Sequence, residues 1–356
     1  MNILADISLP GLSRAFPSPF HITYYTHPEQ IPGLLDGQQV LLCRSTLKVN
    51  ENLIKNHSLH YVATASSGTD HLDTDFLNKQ NIQIIDAKGS NAISVADYMI
   101  ACIAYLEKKS LIQGKKAAII GMGKVGTQVW NRLKAAKYAV AGYDPKKALD
   151  EKEFHSCELS ELYQADLICV HAQLHNTQPY PSFNLINQEF LTQLKPGCVL
   201  INAARGGVIN ENALLAHSKP IIYCTDVYDN EPDIQENIVA KATLCTPHIA
   251  GHSLEAKFAA VAMVSEKLHS YFGIPAPVFA QPSPIELANT TKNQTWQDLI
   301  LSIYNPEYET TRLKDAPNKE DAFLIARMEH QHRHNFYLYH KPENSKKIHS
   351  LLGGVR

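Results

Sequence analysis

The chain has 356 residues, enough for two or three domains with an ample core, and its 33 basic and 35 acidic residues nearly balance without forming a long basic stripe, so no nucleic-acid partner is expected. No stretch reaches the roughly 18 uninterrupted apolar residues of a membrane span, and residues 1–6 lack the basic and apolar segments of a signal peptide, so no membrane partner is expected either. The seven cysteines are scattered with no C-x-x-C spacing, which reads as buried reduced thiols of a soluble, cytoplasmic protein rather than disulfides or zinc ligands.

Residues 1 to about 93 read as a first α/β unit, with short apolar strands over 3–5, 39–43, 61–65 and 82–85 and helical connections over 50–55 and 74–79. In open α/β sheets, ligands bind beyond the carboxyl ends of the strands. Arg44, Ser45, Ser66 and Ser67 fall there, and together they offer a guanidinium fork, hydroxyls and loop N–H groups suited to an anion. The serines read equally well as N-caps and turn residues.

Residues 91–106 form a long, mostly apolar helical stretch that leads into a buried strand, 117–120. Three glycines spaced G-x-G-x-x-G follow, and then Val125, Val129 and Leu133 at helical spacing. A strand that turns tightly into a helix aims backbone N–H groups and the positive end of the helix dipole at one point, where a pyrophosphate fits. Gly121 permits the turn, Gly123 lets a phosphate approach, and Gly126 lets helix and strand pack. With Lys124 and Val125 these glycines would line a dinucleotide. The next strand, 139–143, ends in Asp144, about 20 residues beyond the glycines, where a carboxylate binds ribose hydroxyls and repels a 2′-phosphate. NAD is therefore the expected cofactor, although Lys146 and Lys147 just beyond leave NADP open.

Further strands over 166–171, 198–203, 220–226 and 243–248 alternate with helical segments, which predicts a doubly wound parallel sheet. Three of their ends carry Arg205, Glu231 and His248. An arginine can hold a carboxylate by a bidentate fork. A histidine can accept a hydroxyl proton as hydride leaves, and a glutamate beside it can fix its tautomer. Each has a bland alternative: a surface ion pair for Arg205, a helix-start carboxylate for Glu231, a strand-end core histidine for His248. Together on one edge with a dinucleotide motif, they suit oxidation of a 2-hydroxy acid.

Beyond residue 285 lie an amphipathic stretch over 296–304, a run over 308–316, a helix over 321–334 and a strand over 336–339. Trp296, Leu299, Ile300, Ile303 and Tyr304 should be buried at a subunit interface or against it, which predicts a homodimer. His330, His332, His334 and His340 lack cysteine partners, and their spacing spreads them around a helix, so they read as a solvated or interface face and no metal is expected.

Gly121–Gly126, Asp144, Asn202-Ala203-Ala204-Arg205-Gly206, Asp226-Val227 with Glu231-Pro232, and Pro247-His248-Ile249-Ala250-Gly251 are similar, in order, to the successive motifs of the D-isomer-specific 2-hydroxyacid dehydrogenase family, over about residues 1 to 275. The resemblance implies a Rossmann-type NAD-binding domain (94–252), a discontinuous flavodoxin-like substrate domain (1–93 and 253–284), and a small α+β dimerisation domain (285–356). It implies cofactor contacts at Asp144, Ala172, Ala203, Ala204, Arg205, Asp226 and Gly251, and catalysis by Arg205, Glu231 and His248, with His248 the proton donor in the reducing direction. Cys43–Glu51, Ala65–His71, Ala87–Ala92 and Ser253–Lys257 resemble a subgroup acting on a phosphorylated 2-hydroxy acid, with substrate contacts at Ser45, Ser66 and His252. This chain departs from the family at three places: Ser66 stands where threonine is usual, His252 where tyrosine is usual, and His171-Ala172-Gln173-Leu174 where H-T-P-L is usual. The alternatives are a dehydrogenase of the 3-phosphoglycerate or glycerate type and an NAD(H)-sensing binding protein without turnover.

Overall fold

Short continuous apolar runs form most strands of two sheets, as strands covered on both faces require. The computed structural model describes residues 1–55, 57–278, 283, 285, 295–330, 333–339 and 345–354. Chain contacts divide it into two units, Met1–Asn91 with Ser253–Ser283, and Ala92–His252 with Pro284–Arg356.

In the first unit, β1 (Asn2–Asp6), β2 (His21–Tyr25), β3 (Val40–Cys43), β4 (Tyr61–Thr64) and β5 (Gln83–Ile85) make one parallel sheet in the order β2-β1-β3-β4-β5. That is the flavodoxin-like order, and its switch point lies between β1 and β3. The helix Leu254–Tyr271 brings the chain back to this unit, laying Ala260, Val261, Val264 and Leu268 against Ile3, Ala5, Val40 and Leu42. Residues 50–55, expected as helix, form turns instead. Val49 is tied to Leu72 in a bridge, and the Asn50 side chain caps Leu53 N, so the chain bends immediately after leaving the sheet.

In the second unit, β6 (Lys116–Ile120), β7 (Ala139–Tyr143), β8 (Leu167–Val170), β9 (Val199–Asn202), β10 (Ile222–Thr225) and β11 (Leu244–Cys245) run parallel in the order β11-β10-β9-β8-β6-β7. The chain moves outward from β6 to β7 and returns on the other side as β8, so the switch point falls between β6 and β8. β11 is much shorter than the expected 243–248. Thr246 turns its hydroxyl to Asp226 and its carbonyl to His248 N, which takes the chain out of the sheet into a loop.

The C-terminal stretch joins this second unit rather than standing apart. The helix Trp296–Ile303 packs on Ala92–Lys108, and Trp296, Ile300 and Tyr304 belong to the same core cluster as Tyr98, Met99 and Cys102. These residues, expected at or against a subunit interface, are thus buried within their own chain. Each such apolar side chain contributes on the order of 1.5–3 kcal/mol. Residues 336–339, expected as a strand, form a 3-10 turn. Phe336 N donates to Asp97 and Leu338 N to Asn335 O, so their backbone groups are satisfied without a ladder. The expected helix 321–334 is instead Lys319–Glu329. His330 lies just past its end with Nδ1 3.0 Å from Glu309, while His332 and His340 lie outside the described residues. Among the described residues no helix is long and apolar enough to cross a membrane, and no cysteine is disulfide-bonded.

Candidate active site

The glycine turn sits at the β6/β8 switch point. Gly121 has φ +93°, and a Cβ there would stand 2.5 Å from Ala172 N, so both its conformation and its neighbour demand glycine. Ala172 therefore forms the opposite lip of the turn. A Cβ on Gly126 would lie 2.1 Å from Gly121 O, which shows how tightly the helix Lys124–Ala135 abuts the strand. A Cβ on Gly123 would meet nothing within 4 Å. The turn thus presents open space at the N-terminus of a 12-residue helix, the arrangement a pyrophosphate needs. Val125 follows at the start of this helix.

Asp144 caps the helix Pro145–Asp150 by accepting from Lys147 N at 3.0 Å. Its other oxygen accepts from Met122 N in the glycine turn at 2.8 Å, which places the carboxylate beside the site. The Lys147 ammonium donates to Met122 O at 2.9 Å and lies 3.5 Å from Glu151. Its charge is thereby partly answered.

The ends of β9, β10 and β11 are laced together. Asn202 accepts from Ala204 N and donates to Arg205 O, fixing the turn 202–205 beyond Ala203, and the Arg205 guanidinium donates to Ala204 O at 2.8 Å. Gly207 N donates to Asp229 at 2.6 Å, and a Cβ on Gly206 would strike Tyr228 O at 1.9 Å, so the loops after β9 and β10 are in direct contact. Glu231 then spans to the third loop. One of its oxygens accepts from Tyr228 N at 3.0 Å and the other lies 2.6 Å from His248 Nδ1. Burial would raise the Glu231 carboxyl, but the His248 charge and hydrogen bond, Tyr228 N and Arg327 together hold it below the usual glutamate value.

Asp226, expected as a cofactor contact, is 1% exposed. One oxygen takes Thr246 Oγ1 and Ile249 N, and the other takes Ala250 N. Burial raises its carboxyl, against the pull of His248 and these donors. Within this chain it anchors the loop that carries His248, Gly251 and His252. The His252 carbonyl accepts from Arg333, and its ring lies 6.3 Å from that of His330.

Arg44, Ser45, Ser66 and Ser67 belong to the first unit. Arg44 Nε donates to Asp6 at 2.8 Å across the β1/β3 switch point, and Ser45 is exposed beside it. Ser66 donates to Gly68 O and Ser67 to Asn91, so both serve the turn chemistry that the sequence left open. Lys257, which the sequence reading did not single out as a site residue, also faces Arg44. Burial, then the Arg44 charge, lowers the pKa of its ammonium, and no carboxylate pairs with it among the described residues. Arg44, paired with Asp6, and the cation of Lys257 facing it suit an anionic ligand.

Residues 104–250 match the family model described as D-isomer specific 2-hydroxyacid dehydrogenase, NAD binding domain. The whole chain is similar to the erythronate-4-phosphate dehydrogenase of Legionella pneumophila (strain Philadelphia 1), with 59% identity over 353 residues, covering 99% of this chain and 100% of that protein. It is 37% identical over 343 residues to the enzyme of the same name from Coxiella burnetii (strain RSA 493), covering 94% and 93%. Among solved structures, NAD-bound 3-phosphoglycerate dehydrogenase of Entamoeba histolytica superposes with a TM-score of 0.64 at 21% identity, covering 77% of this chain and 95% of that one. NAD-dependent formate dehydrogenase of Staphylococcus aureus in complex with NAD gives 0.62 at 22% identity, covering 76% and 96%. These structures speak to fold alone, and each leaves roughly a quarter of this chain without a counterpart.

Proposed function

Because this chain belongs to the erythronate-4-phosphate dehydrogenases, within the D-isomer specific 2-hydroxyacid dehydrogenase family, we propose that it oxidises the C2 hydroxyl of 4-phospho-D-erythronate with NAD. The product is (R)-3-hydroxy-2-oxo-4-phosphooxybutanoate, and the step serves pyridoxal 5′-phosphate (vitamin B6) biosynthesis. The observation that carries the reading is the Glu231–His248 pair at 2.6 Å. With Nδ1 engaged by a carboxylate, the imidazole keeps Nε2 for the substrate, and its side chain is 31% exposed, so a hydroxyl can reach it.

NAD, when bound, supplies the hydride acceptor. The open approach at Gly123, the helix start behind it and the carboxylate of Asp144 suit its pyrophosphate and its ribose hydroxyls. For C2 to become a carbonyl, the hydroxyl must also lose its proton, and His248 accepts it. Glu231 stabilises the resulting imidazolium without taking the proton itself. Arg205 holds the substrate carboxylate by its guanidinium fork. Arg44, Ser45, Ser66, Ser67 and His252 are the remaining expected substrate contacts, and Lys257 joins Arg44 in holding the phosphate.

The protein acts in the cytoplasm as a homodimer. Leu324, Ile325 and Met328 support the dimer: they are 48%, 42% and 67% exposed and share one face of the helix Lys319–Glu329. The deciding experiment follows NADH absorbance on adding 4-phospho-D-erythronate, D-erythronate or 3-phosphoglycerate. Turnover selective for the first supports the assignment. Selectivity for 3-phosphoglycerate marks the other dehydrogenase type, and NADH binding without turnover on any of the three marks a binding protein.

A further inference from the structure

We propose that two arginines of the C-terminal segment, Arg327 and Arg333, clamp the loop that carries His248 and act as positioning residues for the proton relay. This rests on the reading of His248 as the acid/base. Arg327 Nη1 donates to the His248 carbonyl at 2.6 Å. Arg333 donates through Nε to His252 O at 3.0 Å, and through Nη2 to Ala250 O, Ile249 O and Ser94 Oγ. The same loop has its amides held from the opposite side, because Asp226 accepts from Ile249 N and Ala250 N. One carboxylate thus grips the N–H groups while two guanidiniums grip the carbonyls.

His248 needs such a grip. Its φ is +54°, the left-handed region, which crowds the Cβ of a non-glycine residue against the backbone. A conformation of that kind persists only where the surroundings over-determine it. A hydrogen bond from a charged group is stronger than one between neutral groups, so the Arg327 bond works against that strain. Released from it, the peptide after His248 is held only through Ile249 N by Asp226, its carbonyl loses its partner, and the imidazole can shift from the 2.6 Å alignment with Glu231. A misplacement of about 1 Å is enough to lower turnover by a large factor.

The second guanidinium is costlier to bury: Nε and Nη2 are satisfied, while Nη1 has no hydrogen-bond partner among the described residues. Arg333 is 7% exposed, lies 4.9 Å over the Tyr304 ring, and faces the buried Asp97, which also pairs with Arg132. Removing Arg333 would leave buried charge uncompensated and endanger the fold. Arg327 is half-buried at the end of a surface helix, and it is the residue to test.

The test uses Arg327→Met and Arg327→Lys in the full chain, comparing kcat and the KM for NAD with the unsubstituted protein and following His248 by 15N spectra of histidine-labelled protein. Arg327→Met is expected to lower kcat about tenfold or more while the KM for NAD stays within about twofold, because the nucleotide is held elsewhere. The His248 Nδ1 signal should lose the character of a carboxylate-bonded imidazole. Arg327→Lys should recover part of kcat, since an ammonium keeps the charge but not the planar fork. Should Arg327→Met fail to fold, Arg327→Lys alone decides, with an intermediate kcat and an unchanged KM for NAD expected. An unchanged kcat in a folded variant overturns the clamp, and so does a fall in kcat matched by an equal rise in the KM for NAD. Absence of turnover in the unsubstituted chain counts against the enzyme reading instead, and the His248 spectra then still decide whether Arg327 positions the ring.

Discussion

His248 Nδ1 stands 2.6 Å from Glu231 Oε2, and the second oxygen of the same carboxylate accepts from Tyr228 N, so the acid is fixed from both sides while it fixes the imidazole. Replacing His248 with Asn should cut turnover about a hundredfold or more, the usual range for losing general acid–base help. NADH binding, read by fluorescence, should stay nearly intact if the glycine turn and Asp144 hold the nucleotide as proposed. Near-normal turnover in this variant would remove His248 from the relay. Glu231→Gln should cost less, since the proton acceptor remains. The Glu231 carboxyl is held below its ordinary value of 4.5, so the pairing is fully present above that pH and is lost only as pH falls through the depressed value.

The second prediction concerns cofactor choice. Asp144 aims one oxygen at the glycine turn, and a carboxylate there favours a free 2′-hydroxyl over a 2′-phosphate. The unsubstituted protein should strongly prefer NAD. Asp144→Ala should raise the KM for NAD by roughly 10- to 100-fold, the worth of a charge-assisted hydrogen bond, and narrow the preference over NADP. Steady-state rates with both cofactors check this, and equal efficiency with NADP before mutation would exclude the role given to Asp144.

Buried parallel strands were legible because both faces are apolar, as at Val40–Cys43 and Val199–Asn202. β2 escaped because it is an edge strand in which, of His21 to Tyr25, only Tyr25 is buried and no continuous apolar run appears. Arg205, Glu231 and His248 were legible as candidates at strand ends, and the structure pairs two of them at 2.6 Å. Arg327 was not, because its role depends on a carbonyl 79 residues earlier in the chain, and nothing local in a surface helix announces that. The same blindness misassigned Trp296 and Ile300. Amphipathic spacing says that a face is covered but not by what, and here the cover is the helix Ala92–Lys108.

That correction moves the expected dimer contact to Leu324, Ile325 and Met328. Leu324→Glu with Met328→Glu should give a folded monomer by light scattering, with a thermal midpoint close to that of the parent at equal protein concentration. Ile300→Ala should do the reverse, costing about 2–5 kcal/mol of stability for an emptied core position while leaving the oligomeric state unchanged. A dimer that survives both glutamates would put the interface elsewhere.

The last prediction concerns Glu211, a buried acid that takes no part in the proposed chemistry. It is 2% exposed, accepts from Asp229 N at 3.3 Å and from Gln235 at 3.1 Å, and sits beneath the loop that carries Glu231. Burial first, and then the charges of Asp229 and Glu231, push its carboxyl up to about 7 from 4.5. Between those two values the folded protein binds a proton that the unfolded chain has released, so stability falls as pH rises through this window and levels off above it. Glu211→Gln removes the titration while keeping an acceptor for Asp229 N, and the Gln235 amide can turn to present its oxygen to the new amide. The variant should therefore gain on the parent by about 1–3 kcal/mol between roughly pH 5 and pH 8. Urea unfolding at the two pH values measures this directly. A stability difference that stays flat across the window would mean that Glu211 releases its proton at an ordinary pH, and that the loop beneath Glu231 admits more water than its burial indicates.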